Sequence, residues 1–128
     1  MDLATSQKLG LPPNGTGGSK RPQDNNFILE PGSSRHEDIL ANMERGILIA
    51  GTMGTWAGNP YNGQVSGNIS LGYLIEDGKI KGRIKDAMFT INIFQALREQ
   101  IKLISADRKW VNNKYLPYIL FNDVSISL

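Results

Sequence analysis

One stretch limits what this chain can fold into more than any other: Asn59–Lys79, NPYNGQVSGNISLGYLIEDGK. Two turn signals frame it, Pro60-Tyr61-Asn62-Gly63 at its start and Glu76-Asp77-Gly78-Lys79 at its end. Between them the odd positions carry Val65, Gly67, Ile69, Leu71 and Tyr73. The even positions carry Gln64, Ser66, Asn68, Ser70 and Gly72. A period of two predicts a strand with one apolar face and one wet face. Asp77-Gly78 supplies two residues that tolerate positive φ, as a two-residue hairpin turn demands, so Tyr73–Ile75 should pair antiparallel with Lys79–Ile84. On that returning strand Ile80, Gly82 and Ile84 are expected on one face and Lys79, Lys81, Arg83 and Lys85 on the other. Such a row reads first as protection of an exposed sheet edge and second as a binding patch.

The flanking segments add elements of both kinds. Residues 1–25 are rich in Gly, Pro, Asn and Ser and bury little apolar surface, which predicts an extended or flexible arm ahead of a domain at 26–128. Gly15–Lys20 lacks the spacing of a phosphate loop and has no strand before it. Phe27-Ile28-Leu29 reads as a short strand ended by Glu30-Pro31-Gly32. Ser34 and Glu37 are spaced as a capping box for a helix over about 35–45, with Gly46 as its stop. Ile47-Leu48-Ile49-Ala50 has no wet position and predicts a fully buried strand. Ile91, Phe94, Leu97, Ile101 and Ile104 recur at helical steps, so a second helix is expected from a cap at Thr90. Asn112-Asn113 marks a turn. Pro117 suits a strand at a sheet edge, and Val124, Ile126 and Leu128 alternate with serines in a final strand. The fold class is therefore α+β, mostly antiparallel sheet with two helices.

Composition excludes several kinds of chemistry. There is no Cys, so neither a disulfide nor a thiolate nucleophile nor a Cys-ligated metal can form within the chain. His36 is the sole histidine. No HExxH-type or calcium-loop pattern accompanies it, and in the first turn of a helix it reads as a surface residue. None of the strand serines sits in a nucleophile elbow. A net charge of only +2, with scattered basic residues, gives no nucleic-acid footprint. No apolar run approaches a membrane span, and the N-terminus has no signal-peptide pattern, so a cytoplasmic protein is expected. The contact residues that remain are on the Gly-punctuated loop and the wet strand face: Trp56, Tyr61, Asn62, Gln64, Ser66, Asn68 and Ser70. Trp56 is also a candidate to fold back over the sheet.

As an ordered set, several pieces resemble the TldD/PmbA proteins, also called modulators of DNA gyrase. They are Phe27–Gly32, Met43–Ile49, Asn59–Gly63, Gly63–Ser70, Gly72–Ile80 and Ile104–Trp110. The likeness spans about residues 8–128 and corresponds to the C-terminal part of a longer family protein. In the family's active member, two histidines of an upstream helix and a C-terminal cysteine hold a peptidase zinc. This chain has neither, and Lys109–Lys114 stands where the cysteine would fall. The resemblance therefore implies the non-metal TldE/PmbA-type subunit, with no catalytic residue and no cofactor of its own. It would be a scaffold that dimerises with a family subunit, its own kind or the zinc-bearing kind, around a peptide chamber. Two alternatives stand beside it. One is a portion of a zinc metallopeptidase whose ligands come from an N-terminal part or another chain. The other is a stand-alone peptide- or ligand-binding module using Trp56 and Tyr61.

Overall fold

The computed structural model describes residues 3–12, 26–55 and 58–127. Its elements are α1 (Leu3–Leu9), β1 (Phe27–Ile28), α2 (His36–Ala41), β2 (Arg45–Met53) and β3 (Gln64–Glu76). They continue with β4 (Lys79–Ile84), β5 (Met88–Asn92), α3 (Ile93–Gln95), β6 (Ile101–Val111), β7 (Lys114–Phe121) and β8 (Ser125–Ser127). Two sheets result. One runs β2-β3-β5-β8, with β4 paired to the far end of β3, and the other runs β1-β7-β6. Every pairing between strands is antiparallel except β1 with β7. The α+β architecture read from the sequence is the one present.

β3 is the axis, as its thirteen residues allow. β2 pairs along one side of it. On the other side β5 takes the first half and β4 the second. The alternation holds from Val65 through Gly67 to Ile69, which meet Ile91 and Phe89 across the β5 ladder. Ile69, Ala87 and Phe89 form the core here, with Ile47, Val65, Ile84, Ile91, Val124 and Ile126 packed round them. Then the parity changes. The β2–β3 register shifts around Gly51, leaving Ala50 and Ser70 without opposite numbers. A bulge of this kind inserts a residue and re-aims everything after it. Gly72 lies opposite Ile84, and Leu74 opposite Ile47, so these even positions join the face of Ile69. A Cβ on Gly72 would point into Ile69 at 2.7 Å. Leu71 and Tyr73 thus leave the face expected of them. Ile75, 1% exposed, is buried on the opposite side.

The hairpin forms as expected, with Asp77 at φ 50 and Gly78 at φ 71. Its tip is fastened to the connection between α2 and β2, where Asp77 N–H donates to the Glu44 carbonyl at 2.8 Å and Gly78 N–H to that of Met43 at 2.9 Å. A second irregularity skips Lys81 in β4. Arg83 lies opposite Tyr73 and Lys79 opposite Glu76, on different faces, so the four cations do not make one row.

Other expectations change. The helix from Thr90 to Ile104 is not present. Met88–Asn92 is strand, helical backbone covers only Ile93–Gln100 (three α-helical residues, then a π turn over Ala96–Gln100), and Ile101 begins β6. Asn92, not Thr90, caps the turn. α2 stops at Ala41 and has no side-chain cap. Ser34 bridges to Ser105 instead, Glu37 pairs with exposed Arg35, and Gly46 lies inside β2. Ile47–Ala50 is not fully buried, because β2 is an edge strand and its Ile49 is 38% exposed. Within 1–25, Leu3–Leu9 is helical rather than extended. Residues 13–25, and with them the expected boundary at 25, lie outside the described residues. β7 lies between β1 and β6, but β1 ends opposite Tyr115, so Pro117 stands beyond its reach. No helix among the described residues is long and apolar enough to cross a membrane.

Candidate functional site: an amide-lined cleft beside the central strand

A cleft of about 450 Å³ sits where β3, β5, α3 and the start of β8 converge. Its walls follow from the ladder. Gln64 lies opposite Asn92, and Thr90 opposite Ser125, which places these polar side chains on the wet face of the sheet. The helical turn contributes Gln95 and Gln100, and the bend before β8 contributes Asp123. Asn62 closes the end nearest the Pro60–Asn62 turn.

Two asparagines build the cleft rather than serve it. Asn92 Oδ1 accepts from the N–H groups of Phe94 and Gln95, both at 3.1 Å, and so starts the helical turn. Its Nδ2 donates to the Asn62 carbonyl at 3.0 Å. Asn62 Oδ1 accepts in turn from Gln64 N–H at 3.1 Å. Gly63 joins this weave at φ 79, where a Cβ would strike the Phe94 ring at 2.5 Å, so only glycine fits. Its carbonyl accepts from Ile93 N–H at 2.8 Å. Across the cleft, Asn122 N–H donates to the Gln100 carbonyl at 2.8 Å and holds the bend that presents Asp123 at φ 56. The side chains of Gln64, Gln95, Gln100 and Asp123 make no bond to another described residue. They remain available to a ligand.

Of the residues expected to make contacts, Asn62 and Gln64 line the cleft. Ser66 and Asn68 continue the same wet face along β3, opposite Thr90 and Met88, but lie beyond its rim. Ser70 falls at the bulge, where a Cβ on Gly51 would approach its Oγ at 2.9 Å. Tyr61 is 95% exposed and free of the cleft. Trp56 lies outside the described residues. The other wall, from Thr90 to Ser125, was not anticipated. Its signal is the alternation Met88-Phe89-Thr90-Ile91-Asn92, masked by apolar residues that also fit a helical step.

His36 belongs to a separate cluster on α2 and β6. Its backbone N–H donates to Asp107 Oδ2 at 2.8 Å, its Nδ1 lies 3.2 Å from the same oxygen, and its ring stacks on Tyr118 at 5.1 Å. Hydrogen bonds from the His36 backbone and ring hold the Asp107 carboxyl below the usual carboxylate value. Among the described residues no three His, Cys, Asp or Glu side chains converge. A zinc ion needs four ligands, or three and a water, and the donors present do not fit one.

The whole chain, residues 1–128, matches the family described as the PmbA/TldA metallopeptidase C-terminal domain. The chain belongs to this family. A Thermotoga maritima structure, described as a candidate modulator of a DNA gyrase, is 30% identical with a TM-score of 0.77 over 98% of this chain. TldE from Thermococcus kodakarensis is 27% identical, with a TM-score of 0.71 over 95% of this chain. A candidate gyrase modulator from Bacteroides thetaiotaomicron is 25% identical, with a TM-score of 0.71 over 99%. A search of curated proteins finds no match. This PmbA/TldA-type domain spans 29%, 29% and 27% of the three solved chains.

Proposed function

We propose that this PmbA/TldA-type domain is a non-catalytic wall of a cytoplasmic peptidase assembly, paired with a TldD/PmbA-family subunit and lining a chamber for extended peptides. The observation that carries this reading is the donor set. The one histidine is tied to Asp107, cysteine is absent, and the cleft beside β3 is lined mainly by neutral amides and hydroxyls, with Asp123 its single carboxylate. The open outer edge of β2 would hold an extended peptide by main-chain hydrogen bonds, and the neighbouring wet face would take its side chains. The likeness to TldE, at 27% identity, supports a partner role.

A second reading has its own support. Relatives of which this domain spans 29% have length enough elsewhere to supply metal ligands, and a peptidase zinc would then lie outside this chain. Zinc content tests whether this domain holds a metal by itself. Metal analysis of the purified chain, alone and mixed with a family partner, is expected to give zinc only in the mixture. One zinc per chain in the isolated protein would overturn the scaffold reading.

A further inference from the structure

The cleft's lining is uniform in one respect and singular in another. Gln64, Gln95 and Gln100 present amides, each both donor and acceptor, so they can bond a peptide group in either orientation. Asp123 is the one charged residue among those lining the cleft, and no Lys, Arg or His there competes for it. A carboxylate only accepts, and its strongest partner is a cationic donor. The bond from Asn122 N–H to the Gln100 carbonyl fixes the bend that carries it, so the charge is presented from an anchored position.

We propose that this cleft is a binding site for an ammonium group carried on a peptide, with Asp123 pairing the charge and the three glutamines taking the adjoining peptide amides. The site deepens the peptide-wall reading and rests on it. The ammonium can belong to an N-terminus or to a lysine side chain, and the chemistry at Asp123 is the same. Hydrogen bonds to charged groups are the stronger class, so neutralising either partner should weaken binding about ten- to a hundred-fold.

The test titrates the full chain with three short peptides and follows backbone and side-chain amide shifts by NMR. The peptides are Ala-Ala-Ala amide with a free N-terminus, its N-acetylated form, and N-acetyl-Ala-Lys-Ala amide. Both peptides that carry an ammonium should shift Gln64, Gln95 and Gln100, and the acetylated neutral peptide should bind at least tenfold more weakly. If only one of the two cationic peptides binds, it names the source of the ammonium. Asp123→Asn is the matched variant, because asparagine tolerates the same positive φ and the fold should survive. It should lose the preference, with the affinity for both cationic peptides falling to about that for the neutral one. Equal affinity for the free and acetylated peptides, or unchanged preference in Asp123→Asn, would overturn the ammonium site and leave peptide binding standing. Shifts confined to residues away from the cleft would overturn it as well. Absence of binding by all three would sink both readings together.

Discussion

His36 and Asp107 are joined twice, once through the His36 backbone N–H at 2.8 Å and once through its ring at 3.2 Å, on a single carboxylate oxygen. The residues are 71 apart in sequence, and the pair fastens the start of α2 to β6. Because these bonds favour the ionised carboxylate, Asp107 titrates below its ordinary value, with nearby Arg35 acting in the same direction and desolvation opposing. A depressed folded-state pKa contributes stability that is fully present above the unfolded value of about 3.9. That contribution disappears as pH falls through the folded value.

The chain should therefore lose stability below about pH 4, and Asp107→Asn should lose less of its own over that window. Asparagine keeps an acceptor for the His36 N–H but has no charge to neutralise. Urea midpoints measured from neutral pH down to about pH 2.5 check this. Parallel profiles for the two proteins would show that Asp107 carries none of the acid sensitivity.

A buried hydroxyl supports the same corner. Ser105 is fully buried, donates from Oγ to the Asp107 carbonyl at 2.6 Å and accepts from Tyr118 N–H at 2.8 Å. Ser105→Ala would strand the Tyr118 N–H without an acceptor. Leaving a buried donor unpaired costs about 1–3 kcal/mol, and that is the loss expected by chemical denaturation. A change below about 0.5 kcal/mol would mean the strand relaxes to find another partner.

At the hairpin tip, Gly78→Ala meets two obstacles at once. The residue sits at φ 71, and its added Cβ would fall 2.6 Å from the Ala41 carbonyl oxygen and 2.9 Å from the Ala41 Cα. Both are backbone atoms, so α2 itself would have to move. The expected loss is about 2–3 kcal/mol. Asp77→Asn should stay within about 0.5 kcal/mol, since Asn-Gly suits the same turn. Thermal melts of the two variants separate these outcomes.

How legible each element was depends on whether its signal was local. β3 and its hairpin could be read because alternation and Asp-Gly are properties of neighbouring residues. The parity change at Ser70 could not, since a bulge arises from the match between two strands and Gly72 looks polar or apolar according to its neighbours. Ile91, Phe94, Leu97, Ile101 and Ile104 fit a helical step, yet they fall on a strand, a short helical turn and another strand. Pairing of β5 with β3 and β8 outweighed the local helical spacing. The cleft was half visible for the same reason. Asn62 and Gln64 belong to the readable strand, whereas Gln100 and Asp123 reach it only through the topology.

Asn92 is where fold and cleft depend on one side chain, and its two ends can be tested separately. Asn92→Ala removes the acceptor for Phe94 and Gln95 N–H and the donor to the Asn62 carbonyl. Loss of a capping side chain costs about 1–2 kcal/mol, so a fall of that size is expected in chemical denaturation. Asn92→Asp keeps the cap, and a negative charge at a helix start is favourable, but the donor to Asn62 is gone. It should therefore retain most of the stability while loosening the turn at Pro60–Asn62. Amide NMR shifts then report which end matters to the cleft. Changes at Gln95 and Gln100 in Asn92→Ala, with changes only near Asn62 and Gln64 in Asn92→Asp, are the expected pattern. Equal destabilisation by both variants would place the weight on the Asn62 bond rather than on the cap.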